Sequence, residues 1–192
     1  MSSFLRVMVV FLLVASCGFS GGPPRNLENA CAIAREKPRY LRAMQQAERK
    51  WGVPVSVQMA TIYYESRFVS DARTPRRYVL GFIPAGRQSS AYGYAQALDG
   101  TWDDYIRATR SYGARRDRMD DAADFIGWYM DGSNRSLGIS KSDARNQYLA
   151  YHEGRGGYAR GAHNRKSWLL RRAAEVNDRA TRYSVQMRSC RT

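Results

Sequence analysis

Tyr63-Tyr64-Glu65-Ser66-Arg67-Phe68 closes a stretch that opens at Pro54 and sets Val55, Met59, Ile62, Tyr63 and Ser66 on one stripe at helical spacing. Glu65 falls at the border of that stripe, one turn from Thr61 and Ile62. A carboxylic acid there is half-buried and still reaches a cleft. Aromatic surroundings disfavour the anion, so the acid holds its proton closer to neutral pH, as a general acid must. Taken alone, an exposed helix-end glutamate is the plainer reading.

On the N-terminal side, Pro38 suits a first helical position, and Leu41, Met44, Ala47 and Trp51 recur at helical spacing up to a stop at Gly52. On the C-terminal side, residues 70–92 place Pro75, Gly81, Pro84 and Gly86 around Tyr78-Val79-Leu80 and Phe82-Ile83 with no helical period, which predicts a loop or small hairpin. Thr101-Trp102-Asp103-Asp104 has the form of a capping box, followed by Tyr105, Ile106 and Thr109 on the Trp102 face. Met119, Ala122, Ala123, Ile126 and Tyr129 predict a helix over about residues 117–130, ending before Gly132-Ser133-Asn134. Ser142 caps a helix that ends at Gly154, and Ser167 opens a last one reaching about Met187. The chain reads as mainly α, with no internal repeat and a length suited to one domain around one core.

The first residues place Arg6 before an apolar run, Val7 to Ala15, too short to span a bilayer and closed by Ser16-Cys17-Gly18. That pattern predicts an export signal over residues 1–16. Val14-Ala15-Ser16-Cys17 resembles the lipobox of bacterial lipoproteins, which implies acylation of Cys17, a lipidated tether over residues 17–37 and a folded domain over 38–192. Ordinary cleavage after Ser20, leaving a soluble periplasmic or secreted protein, is the alternative. Gly18 in place of Asp after Cys17 favours the outer membrane for the anchor. With Cys17 consumed by lipid, Cys31 and Cys190 remain, and an oxidising compartment lets them pair; otherwise they are two unrelated thiols. The net charge of +14 comes almost entirely from arginines spread along the chain, so it belongs to the folded surface. An exported basic protein meets anionic envelope polymers first, and no nucleic-acid partner is expected.

Three separated segments, Glu65-Ser66-Arg67-Phe68, Ala91-Tyr92-Gly93-Tyr94-Ala95-Gln96 and Ala150-Tyr151-His152-Glu153-Gly154, together resemble the soluble lytic transglycosylase domain, a lysozyme-like family related to goose-type lysozyme. The resemblance covers roughly Arg39 to Gly157. It implies a mainly α, lysozyme-like single domain with a small loop or hairpin inserted before the Gly-x-x-Gln segment. It implies peptidoglycan strands as substrate, no cofactor, and Glu65 as the only catalytic acid/base. It also implies attack by the muramyl C6 hydroxyl, leaving a 1,6-anhydro end. In the same way, Ser66 and Tyr151 hold the acid and line its pocket, Gln96 contacts sugar, and the backbone at Gly93 approaches the saccharide. Tyr92, Tyr94 and Trp102 offer faces to sugar rings, with core packing equally open for Trp102. Singly, Ser66 also fits a helix end, Tyr151 a core aromatic and Gln96 a loop. His152 stands where the family usually has Asn, and is either a substrate-binding hydrogen-bond donor in the same slot or a change of cleft polarity there; Glu153 stands where a small residue is common.

Asp71 and Glu153 are the candidates for a second carboxylate, which would make the protein a muramidase hydrolase; a surface Glu153 beside Arg155 is the simpler reading. His152-Glu153 does not continue into a zinc motif, because Gly156 occupies the place of the second His, so no metal is expected. Gly154-Arg155-Gly156-Gly157-Tyr158-Ala159 matches a dinucleotide fingerprint but follows a helix instead of a strand. It is either a basic rim of the cleft or a plain solvated loop. A non-catalytic basic module that binds peptidoglycan or nucleic acid on a lysozyme-like scaffold is the competing class, and a monomer is expected.

Overall fold

α3, Val55–Ser66, contains no charged residue before Glu65, so nothing in it needs water, and it is buried on nearly every side instead of along one stripe. Its polar side chains find partners inside: the Gln58 amide donates to Met44 O at 3.0 Å and Val53 O at 2.8 Å, and the Thr61 hydroxyl to Val57 O at 2.9 Å. In this computed structural model, which describes residues 22–190, α3 is the central helix. The leader segment and Cys17 lie outside the described residues.

The other helices pack around it. α2, Pro38–Trp51, begins with its proline and ends at left-handed Gly52, as its sequence predicts. α5, Met119–Leu137, lies along α2, while α7, Ser167–Ser189, lies along α3 and is joined to α5 through α6, Ala144–Ala159. A short 3-10 turn, Ala162–Arg165, leads into α7. Residues 22–37, which show little periodicity, include a further helix, α1, Ala30–Glu36, capped by the Asn29 side chain on Ala32 N at 2.9 Å and packed on α2 and α7. Cys31 in α1 and Cys190 beyond α7 form a disulfide, with Cα atoms 5.5 Å apart.

Several boundaries differ from expectation. α4, Asp99–Thr109, starts two residues before Thr101, so the capping box is not used; Asp104 pairs with Arg107 instead. α5 runs through Gly132-Ser133-Asn134 because Ser133 donates to Tyr129 O at 3.2 Å and a side chain at Gly132 would collide with the Arg155 guanidinium; left-handed Gly138 stops it. The cap of α6 is Asp143, one residue past Ser142, accepting from Asn146 N at 3.0 Å. Gly154 breaks the regular winding of α6, with φ 73 and ψ 154, conformations reserved for glycine.

Before α4, β1, Arg76–Val79, pairs antiparallel with β2, Ile83–Arg87, in the expected hairpin, every residue of which is exposed. Beneath α4 and α5, Trp102, Tyr105, Phe125 and Trp128 pack ring against ring and reach Tyr129 and Tyr151. This aromatic cluster fixes α6 and thereby one wall of the pocket around Glu65.

Candidate active site

Glu65 occupies the last turn of α3. Immediately after it the chain reverses through Arg67 and Phe68, both at positive φ (53 and 62), and Phe68 is buried against Tyr40 with ring centroids 6.2 Å apart. Two bulky residues in the left-handed region hold local strain that the buried Phe68 anchors. The helix therefore ends one residue past Glu65, and the acid projects from its rim. Ser66 is buried and donates to Ile62 O at 3.2 Å, so its hydroxyl hydrogen is engaged within the helix.

Around the carboxyl stand Tyr148 from α6 and Arg172 from α7. Burial pushes the Glu65 carboxyl up from 4.5 to about 7; the Tyr148 hydroxyl donating to it and the Arg172 charge oppose that rise. Burial and the nearby carboxyl together hold the Tyr148 and Tyr151 phenols in the neutral, proton-donating form. Tyr64 completes the wall, edge-on to Tyr148 at 6.5 Å with the Arg172 guanidinium 5.1 Å from its ring centre. At neutral pH the pocket thus holds an acid poised between its two forms, with donors ready for the anion.

Tyr151 sits edge-to-face on Tyr129 at 5.0 Å and donates to Ala95 O at 2.6 Å. That bond ties α6 to the Gly93-Tyr94-Ala95-Gln96 segment, so the structure brings two of the three sequence segments into direct contact beside the third. Within the segment the glycine has an internal cause: Gly93 is buried at φ 79, and a side chain there would collide with the Arg116 carbonyl, which also accepts from Tyr94 N at 3.2 Å. Gln96 uses its amide nitrogen on Ala72 O at 2.9 Å and Gly93 O at 2.8 Å, clamping the loop and leaving its oxygen as the group able to accept from outside.

Of the suggested sugar platforms, Tyr94 departs from expectation and Trp102 takes the core alternative left open for it. Tyr94 is only 5% exposed, with its hydroxyl 2.7 Å from that of Tyr40, and Trp102 is 6% exposed between Tyr105 and Phe125; both rings face the core. Tyr92 is covered by Arg73, whose guanidinium lies 4.0 Å from the ring centre. His152 is exposed, with Nδ1 3.1 Å from Glu153 and its ring edge-on to Trp168 at 5.1 Å. Glu153 is not beside Arg155. It accepts from Lys166 at 2.7 and 3.0 Å, and this contact, with a smaller one from His152, holds it below the usual carboxylate range. Arg155 instead turns inward, donating to Tyr129 O at 2.9 Å over the Tyr129 ring. Asp71 is exposed. Among the described residues no His, Cys, Asp and Glu side chains gather as a metal-binding group.

Sequence reading missed Tyr148 and Arg172. Tyr148 lies one turn before Tyr151 and His152 on the same helical face, a signal that was present. Arg172 belongs to a helix beyond the resembling stretch, and only packing brings it to the site.

A helical domain with an inserted hairpin and one buried, proton-holding carboxyl at the end of its central helix is lysozyme-like in class. The family model described as Transglycosylase SLT domain matches residues 5–190, and the chain belongs to that family of lytic transglycosylases. No curated protein matches the chain.

Proposed function

We propose that this protein cleaves the β-1,4 bond between N-acetylmuramic acid and N-acetylglucosamine in peptidoglycan, with Glu65 as its single acid/base. The observation that carries the reading is the Glu65 carboxyl raised to about 7 and faced by Tyr148 and Arg172, with no carboxylate among the groups acting on it. Protonated Glu65 gives its proton to the glycosidic oxygen as the bond to the anomeric carbon breaks. The resulting carboxylate, met by the Tyr148 hydroxyl and the Arg172 charge, then takes the proton of the muramyl C6 hydroxyl. That oxygen bonds to the anomeric carbon and closes the 1,6-anhydro ring. A nucleophile carried by the substrate removes the need for a second carboxyl. The engagement of Glu153 by Lys166 supports the same economy, as does the exposure of Asp71. Acid/base assistance of this kind is worth roughly 10²- to 10⁴-fold, the remainder coming from positioning.

The test is digestion of purified peptidoglycan by the protein and by Glu65→Gln, with released muropeptides weighed. Anhydro products, about 18 Da lighter than hydrated ones, made only by the unmutated protein are expected. Reducing ends would assign a hydrolase, and no release from either protein would assign a binding module. We place the protein in the periplasm, held by acylation of Cys17. Fatty-acid labelling that persists in Cys17→Ser would remove the anchor from this reading.

A further inference from the structure

Between Asp71 and Asp99 the chain carries Arg73, Arg76, Arg77 and Arg87 and no acidic residue at all. The hairpin within this stretch exposes Tyr78, Val79, Leu80, Phe82 and Ile83 together, whereas the other exposed large apolar residues of the described chain, Leu98, Tyr112, Trp168 and Val185, are scattered. Scattered exposure is ordinary for a folded protein, but a contiguous apolar patch marks a surface that meets something.

The backbone of the tip makes the same point. Leu80 and Gly81 both have positive φ, 53 and 79, the conformation of a tight hairpin turn that favours Asn-Gly. A leucine there is strained, and at 77% exposure it buries almost nothing in return. The fold alone gives no reason for this residue. Across the base of the hairpin Arg76 faces Arg87 in register, a like-charge pair that weakens an isolated ladder and is relieved by an anionic surface. The contacts these arginines do make are with uncharged groups: Arg87 donates to Thr74 O at 2.7 Å and Arg73 covers the Tyr92 ring.

We infer that the β1–β2 hairpin inserts its Leu80–Phe82 tip into the interfacial layer of a bilayer containing anionic lipid, with Arg76, Arg77 and Arg87 level with the headgroup phosphates. Dimensions fit: at about 3.3 Å per residue, Leu80 lies roughly 13 Å beyond Arg76, enough for apolar side chains to reach the 5–10 Å depth of interfacial insertion, about the boundary of the acyl region, while the arginines stay among the phosphates. A glycan contact is less well served by this shape: Phe82 and Tyr78 offer ring faces, but on a projecting turn with no concave cleft, and the aliphatic Val79, Leu80 and Ile83 exposed beside them have no flat face for a sugar ring. The inference stands on the hairpin alone and does not depend on the catalytic reading.

The experiment uses the mature chain without residues 1–16 and with Cys17→Ser, which carries neither the apolar leader nor an acylation site there, in co-sedimentation with vesicles of phosphatidylglycerol and phosphatidylcholine in equal parts, and of phosphatidylcholine alone. Binding is expected to the anionic vesicles, to fall with added salt, and to drop about tenfold or more in Leu80→Asp/Phe82→Asp. A polarity-sensitive dye on Leu80→Cys should shift to the blue on the anionic vesicles only. The dye reads tip insertion without relying on the Asp variant's fold. Equal binding by the Asp variant, or unchanged dye emission, would overturn the inference by reducing the contact to surface charge. Absence of vesicle binding together with loss of peptidoglycan binding in the Asp variant would overturn it in favour of a saccharide contact.

Discussion

Two glutamates meet neighbouring tyrosines of α3 and arginines two turns apart on α7, and their proton affinities move in opposite directions. Glu28 accepts from Arg179 at 3.0 Å, Arg182 at 3.1 Å and the Tyr63 hydroxyl at 3.2 Å, and those contacts hold it below the usual carboxylate range. Glu65 stands by Tyr64, Tyr148 and Arg172, yet it is raised to about 7 because burial outweighs the charge of Arg172. The residue types are nearly the same. A guanidinium in direct contact, with water still reaching the carboxylate, makes a strut between the N-terminal segment and α7. A guanidinium beside a neighbouring ring, with the carboxyl partly withdrawn from water among tyrosines, makes an acid.

The opposite shifts give opposite pH dependences. Raised Glu65 contributes no penalty below its unfolded value of 4.5; as pH climbs through about 7 the folded state must carry a buried anion, at a cost of about 3 kcal/mol. Lowered Glu28 contributes stability above 4.5 and loses it as pH falls through its folded value. Mild acid therefore relaxes the pocket, while the terminal strut loosens only below pH 4.5.

The largest expected effect breaks the strut region and leaves the pocket alone. Cys31 and Cys190 are separated by 159 positions, and replacing both with Ala should remove up to about 5 kcal/mol of stability, read from the denaturant midpoint. The pH midpoint of activity should stay near 7; if it moves, the two regions are not independent. Glu65→Gln tests the other side. Turnover of peptidoglycan should fall by roughly 10²- to 10⁴-fold. At about pH 8 the variant should be more stable than the parent by up to about 3 kcal/mol, an advantage that disappears below pH 4.5. A variant that is inactive and no more stable would mean that the pocket does not penalise the anion.

The helix and its end were legible in the run to Tyr-Tyr-Glu-Ser, but by itself that run fits an exposed glutamate as well; the acid became legible only in company with the segments at residues 93–96 and 150–154. Helices α2 and α7 were legible for similar reasons, with proline and glycine or serine at their ends. What sets the proton affinity was not. Tyr148 acts through a face shared with Tyr151, and Arg172 through packing of a helix far along the chain, so neither is a local pattern. Tyr94 differed from expectation, and Trp102 was open to both readings, because an aromatic beside a cleft motif reads the same whether it faces sugar or the core. The end of α5 misled because Gly-Ser-Asn is a stop signal by propensity, and the Arg155 side chain packing over Gly132 overrides it.

A smaller effect sharpens the comparison inside the pocket. Arg172→Met and Tyr148→Phe each remove a group that lowers the Glu65 proton affinity, so the descending limb of kcat/KM against pH should move above 7 in both. Each variant then keeps more of its own maximal activity at about pH 8 than the parent does, a few-fold at most. A limb that stays in place would show that neither group acts on the carboxyl and that burial alone sets it.

The smallest effect tests the strut's carboxylate directly. The Glu28 side chain is 58% exposed, so its ion pairs with Arg179 and Arg182 act through water and salt, and Glu28→Gln should cost less than about 1 kcal/mol near neutral pH. That difference should shrink as pH falls through the lowered Glu28 value, because the parent then loses the same charge, and it should shrink again at high salt. Arg179 is the more buried partner, 7% exposed against Tyr63 and Tyr183, so removing its carboxylate leaves a guanidinium that still rests on rings. A loss much larger than this would mean that Glu28 neutralises a charge the tyrosines cannot hold, and the strut would then resemble the pocket more than its exposure suggests.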